Sequence, residues 1–188
     1  GADRGNVLGV SFINFLAPGL ISMQVIQQSF SHSSSSFMIG KIQGNIVDLL
    51  YAPLSATEVT ISISLAAVTR SVMIAIVSII VFKLIIDIEI TNYFLLIVFT
   101  LLSSFILGNI GIIAGLWAEK FDHMATITNF VIVPLSFLSG TFYSIERLPE
   151  LLQMISKANP FFYMIDGFRY SFIGKADGSI FIGLVYLS

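Results

Sequence analysis

The chain has 188 residues, 56% of them hydrophobic and only 11% charged, with mean hydropathy +0.93 and net charge −2. Soluble domains are about a quarter charged, so a water-facing globule is excluded, and the absence of a basic excess argues against nucleic acid as a partner. With no cysteine there is no disulfide, thiolate chemistry or Cys-based metal site.

The few charges are segregated. Uncharged tracts run from Gly5 to Ser31, Ile90 to Ala118 and Met124 to Ile145. Each is long enough to cross a hydrocarbon core of about 30 Å as a helix. The expectation is an all-α integral membrane protein, a polytopic helix bundle of four full spans plus part of a fifth. It forms one domain over 1–188, cut at both ends, since no Met opens the chain and its last apolar run stops at Ser188.

The first span is predicted over 10–30, with Pro18-Gly19 inside it. Gln24, Gln27 and Gln28 share one face there and would avoid lipid, bonding to other helices or lining a polar cavity. Ser31-His32-Ser33-Ser34-Ser35-Ser36 has the composition of a loop, with His32 solvated. From 37 to 53, Ile39, Ile42, Ile46, Leu49 and Leu50 recur at helical spacing among Lys41, Gln43, Asn45 and Asp48. This predicts an amphipathic surface helix ended by Pro53.

The second span, 59–82, holds Arg70 near its middle, where a charge is costly and marks a functional or snorkelling residue. The third, 93–117, carries Gly108, Gly111 and Gly115 as a small-residue stripe for close helix approach, with Asn109 beside it to bridge helices. Glu119, Lys120, Asp122 and His123 form a solvated turn into a fourth span at 124–142. Two short helices follow over 146–172. Leu148, Leu151, Leu152 and Ile155 repeat along the first, and Asn159 and Pro160 open the second as cap and first helical residue. Its aromatic residues and Arg169 suit the headgroup boundary. A turn from Gly174 to Gly178 leads into the start of another span at 178–188.

Three pieces recur in order: Phe15-Leu-x-Pro18-Gly19; Gly44 with Asp48-Leu49-Leu50-x-x-Pro53-Leu54-Ser55; and Leu148-Pro149, ten residues, then Pro160-Phe-x-Tyr163-x5-Arg169. Together they make the chain resemble the permease subunit of type-2 ABC exporters. The resemblance covers essentially the whole chain. It departs at Thr141, where a smaller or aliphatic residue is usual, and at Lys41, where a Glu-Arg pair would precede Gly44.

The resemblance implies that the 37–53 helix is a cytoplasmic coupling helix docking on a separate ABC ATPase subunit through Lys41, Gly44, Asp48, Leu49, Leu50, Pro53 and Leu54. It implies a re-entrant hairpin at the exit, carrying Pro149, Pro160, Tyr163, Asp166, Gly167 and Arg169. It further implies a second permease copy, a bacterial inner-membrane location, contact with membrane lipid, and a polysaccharide, lipid-linked glycan or drug as substrate. ATP and Mg would sit on the partner ATPase, and this chain would bind no cofactor. Independently of that resemblance, the sequence has no Gly-x4-Gly-Lys-Ser/Thr loop to cradle phosphates and no acid–base or nucleophile constellation. A secondary transporter and a non-transporting scaffold are the rival readings. The first would want a carboxylate inside a span, and the four span interiors have none. In the implied topology Lys41 and Lys120 are cytoplasmic while Arg4, Lys83, Arg147, Lys157, Arg169 and Lys175 lie outside, the inverse of the positive-inside rule.

Overall fold

A computed structural model describes residues 6–7, 9–86, 88–145 and 148–187. A two-residue antiparallel pair, β1 (Asn6–Val7) and β2 (Val10–Ser11), opens the chain. Eight of the helices that follow are α1 (Phe12–Gln43), α2 (Ile46–Tyr51), α3 (Ala56–Ile85), α4 (Tyr93–Trp117), α5 (Phe121–Ile127), α6 (Val133–Leu138), α7 (Glu150–Ala158) and α8 (Pro160–Ile173). The last is α9 (Ile180–Leu187). A π-helical turn, Thr128–Ile132, joins α5 to α6 without a break. Helix α9 falls within 178–188, where the start of another span is expected.

Helix α1 corrects two expectations. The serine run is no loop, and Phe37–Gln43 belongs to the same 32-residue helix as the first span. Serine is a poor helix former because its hydroxyl competes for backbone bonds. Here the hydroxyls bond back into the preceding turn: Ser34 to the Ser31 carbonyl at 3.2 Å, Ser36 to the His32 carbonyl at 2.7 Å. The amphipathic rod expected over 37–53 is therefore divided. Gly44, at φ 77°, ends α1 in the left-handed conformation that glycine adopts without strain, and α2 is a separate short helix.

The serines serve a packing purpose. Opposite them lie the α4 glycines. A Cβ on Gly111 would stand 2.5 Å from the Phe30 carbonyl oxygen, and one on Gly115 would stand 2.8 Å from that of Ser34. The two backbones thus touch along a seam of small residues, the packing mode that needs no hydrophobic driving force. Ser29 Oγ closes it with a bond to the Ser104 carbonyl at 2.5 Å. The glycine stripe is a packing stripe, as expected.

Helix α3 flanks this pair. Its buried residues are Ser64, Ala67, Val68, Ser71 and Ala75, while Leu65, Met73, Ile76, Ile80 and Leu84 are exposed. Small residues face protein and large apolar ones face out, which is tolerable only in lipid. Among the described residues three helical segments are long and apolar enough to cross a membrane: Ala56–Ile85, Tyr93–Trp117 and Phe121–Leu138. Helix α1 is packed by α3, α4 and α8 and does not qualify by composition: Ser22, Ser29, Ser33 and Ser34 are buried against protein, while Gln24 and Ser31 stay exposed. The chain is an all-α membrane protein. Helix α3 covers the residues of the expected second span and α4 those of the third. The fourth ends at Leu138, four residues short of the expected 142, because Ser139 and Gly140 (φ 77°) turn the chain.

Candidate functional site

Helix α1 carries the chain from one end of the bundle to the other, about 48 Å at 1.5 Å per residue. The residues singled out by sequence gather at its two ends and its middle.

At the C-terminal end of α1, Lys41 does not point outward. Its Nζ donates to the carbonyls of Gly115 and Ala118, each at 2.9 Å, and to that of Leu116. These are the unpaired carbonyls that close α4, so a lysine there satisfies orphan acceptors and opposes the helix dipole. The residue that departs from the family pattern is thus an internal clamp. Beyond Gly44, the segment runs exposed: Val47 is 48%, Tyr51 86% and Leu54 51% accessible, and Asp48 and Pro53 are also exposed. The side chains of Leu49 and Leu50 lie outside the description. Ser55 and Glu58 then form a reciprocal capping box that starts α3. The His123 and Trp117 rings lie tilted beside this end, 5.6 Å apart; Asp122 and His123 belong to α5, so the expected turn is confined to the residues before Phe121.

At mid-depth, Asn109 bridges as expected: its Oδ1 accepts from Ser64 Oγ at 3.2 Å and its Nδ2 donates to the Phe105 carbonyl at 2.8 Å. Gln24 is exposed, and Gln27 and Gln28 are half-buried; the Gln27 Nε2 is buried without a hydrogen-bond partner. His32 is not a solvated loop residue, since its Nδ1 lies 3.2 Å from Arg70 Nη1.

The opposite end is tied shut. Arg169 is fully buried within the protein. Its Nη2 donates to the Gly140 carbonyl at 2.6 Å and to that of Thr141 at 3.4 Å, and its guanidinium lies 3.9 Å from the Phe15 ring centroid. Thr141 Oγ1 in turn donates to the Ser136 carbonyl at 2.7 Å, so the hydroxyl that departs from the family pattern has its own partner. One helical turn from Arg169, the Asp166 carboxylate accepts the amides of Asp177 at 3.0 Å and Gly178 at 2.8 Å. Burial pushes its pKa up to about 6, while those two amides and Arg169 pull it down. Asp166 and Arg169 each favour the charged form of the other. Asp177 extends the knot, accepting from Ser144 Oγ at 2.6 Å and the Ile145 amide at 3.2 Å.

The two short helices hang on these bonds. Pro149 caps α7, and Pro160 opens α8 behind Asn159, whose Oδ1 accepts the Phe161 amide at 3.1 Å. Asn159 Nδ2 also reaches the Leu135 carbonyl at 3.0 Å. Tyr163 lies 5.1 Å, centroid to centroid, from Tyr186 of α9. Gly167 touches the ring of Phe99, and a Cβ there would stand 2.1 Å from Phe99 Cε1. Glu146 and Arg147, the expected start of the hairpin, lie outside the described residues. Sequence reasoning missed Phe15, Thr141 and Asp177 as partners of Arg169 and Asp166. Only the recurrence of small and polar residues after Ser139 hinted at them.

This order of elements, with α1 running from Gly19 beside Arg169 to Lys41 bonded to Ala118, invites comparison with known proteins. The sequence profile of the family described as ABC-2 type transporter matches residues 4–173. The chain belongs to the ABC-2 type transporter family. It is 32% identical over 177 residues to the inner membrane transport permease YadH of Escherichia coli (strain K12), covering 94% of this chain and 69% of the relative. It is 25% identical over 191 residues to nodulation protein J of Rhizobium leguminosarum bv. viciae, covering 96% of this chain and 70% of that protein. It is 23% identical over 175 residues to nodulation protein J of Neorhizobium galegae, covering 93% and 67% respectively. No solved structure matches the chain. As an ABC-2 permease it is a transport subunit of the membrane, and among the described residues no cluster of His, Cys, Asp or Glu is placed to hold a metal.

Proposed function

We propose that this chain is the permease subunit of an ATP-driven exporter in a bacterial inner membrane, working as a pair with a second copy and powered by a separate ABC ATPase. The observation that carries this reading is the exposed segment after Gly44. Val47, Tyr51 and Leu54 are large apolar or aromatic groups, more than 45% accessible, at the end of the bundle. Nothing among the described residues covers them, and apolar surface at a water-facing end is what a partner buries. In this reading α2 with its flanks, rather than one rod from 37 to 53, is the coupling element. ATP and Mg belong to the partner, and closure of the ATPases moves the coupling elements and, with them, the packed helices as rigid bodies.

The topology proposed is four spans, with α1 the interior one, α7–α8 re-entering from the far side, and α9 beginning a further span. Its support is that α8 packs beside Phe15 and Phe99 while α2 lies at the other end of α1. Buried Arg169 and clamped Lys41 take one charge from each side of it, so the charge asymmetry across the proposed topology is unchanged. Candidate cargoes are a polysaccharide, a lipid-linked glycan or a drug. A secondary transporter would need a titratable carboxylate open to the path, and Asp166 has both oxygens engaged.

The test is co-purification of the full-length permease with its ATPase, followed by ATP-driven export from inverted vesicles. Tyr51→Asp and Val47→Asp are expected to abolish pairing and export while the permease elutes as a folded species. Unchanged pairing and export in both variants would overturn the coupling role.

A further inference from the structure

Arg70 has no role in the packing or the ends described above. It stands at the middle of α3, exposed, in a layer that also holds the middles of α1 and α4. Ser71 Oγ reaches the Val25 carbonyl at 3.4 Å, Ser29 bonds to Ser104, and Gly108 faces Ala67, Ser29 and Ser33. From mid-helix either hydrocarbon edge is about 15 Å away, further than an arginine stem reaches by snorkelling. Its one hydrogen-bonding contact among the described residues is His32, a neutral or cationic ring. Among the described residues no carboxylate is at hand: α1 and α4 contain no Asp or Glu, and Glu58 of α3 sits in that helix's first turn.

Two surfaces meet at this cation. Along α1, Gln24, Gln28 and Ser31 continue His32 as a polar stripe at spacings of three and four, each at least partly accessible. Along α3, an open groove of about 360 Å³ is lined by Arg70, Met73, Ile74, Val77 and Ser78. A cation with hydrogen-bonding neighbours, opening onto an apolar trough, is complementary to one kind of molecule. We infer that Arg70, with His32 beside it, receives the anionic headgroup of an amphiphile whose apolar chain lies in the groove along Met73, Ile74 and Val77. The ligand class is a phosphate- or carboxylate-bearing lipid or lipid-linked compound, and the headgroup would slide along the glutamine–serine stripe. This rests on the transport reading for its purpose, though the binding site itself does not.

The experiment uses the full-length permease in nanodiscs of phosphatidylcholine, with radiolabelled dodecyl phosphate as probe. Saturable binding is expected, unaffected by excess dodecyl maltoside or inorganic phosphate. Arg70→Gln should weaken it about tenfold or more, the scale of a charge-assisted contact, and Arg70→Lys less. Val77→Trp keeps the charge, fills the trough at an exposed position, and should also weaken binding. Equal affinity in wild type and a folded Arg70→Gln variant would overturn the inference. So would displacement by dodecyl maltoside, which would make the site merely apolar, or by inorganic phosphate, which would leave the groove without a role. Should Arg70→Gln fail to fold, unchanged binding in Val77→Trp does the same. Loss of ATPase pairing with intact Arg70-dependent binding would sink the transport reading alone. Intact export without Arg70-dependent binding would sink this one alone.

Discussion

The two ends of the bundle use their signature residues in opposite ways. At the hairpin end, Asp166, Gly167 and Arg169 are each consumed inside the protein, by two amides, a phenylalanine ring and two carbonyls. At the α2 end, Asp48, Tyr51, Pro53 and Leu54 are exposed. The residues that carry the family resemblance are therefore internal at one end and, in the function proposed, a docking surface at the other. The distinction is made by where polar atoms find partners and where apolar atoms find none. Lys41 marks the boundary, since it lies in the expected docking set yet acts inward on α4.

That contrast can be broken by substitution. The largest effect is expected at Arg169→Ala, which leaves two buried carbonyls unpaired and Asp166 without its counter-charge. A loss of about 3–5 kcal/mol is expected, read as collapse of the detergent unfolding midpoint or of folded yield. Gly111→Leu comes next, because the obstacle is the Phe30 backbone, which cannot swing aside. Overpacking should cost about 1–3 kcal/mol, visible in the same melt. Lys41→Ala removes a cap from α4 and should cost about 1 kcal/mol, with ATPase pairing retained. Tyr51→Asp should leave the melt unchanged within about 0.5 kcal/mol and yet remove pairing. A Tyr51→Asp protein that melts early, or an Arg169→Ala protein that melts normally, would erase the difference between the ends.

Much of the fold was legible because lipid imposes simple rules. The spans at α3 and α4 follow from apolar length, and the glycine stripe from spacing alone. The serine run was not legible, because a loop and a packing seam have the same composition. What decides between them is a partner: Gly108, Gly111 and Gly115 lie more than seventy residues away in the sequence, where no local pattern links them to Ser29, Ser33 and Ser34. Arg169 escaped for a similar reason. An arginine among aromatic residues reads as an interfacial anchor unless Gly140, Thr141 and Phe15 are known to surround it.

The serine–glycine seam has a mechanical corollary. With the Phe30 and Ser34 carbonyls resting on glycine backbone, a slip of α4 by one residue would drive the bulk of Ile110, Ile112 or Leu116 into α1. The two helices are interlocked against sliding and are clamped together again at Lys41. A push delivered near Gly44 must therefore arrive at the Phe15 and Arg169 end as a tilt of one stiff beam, its stroke scaled by the beam's length.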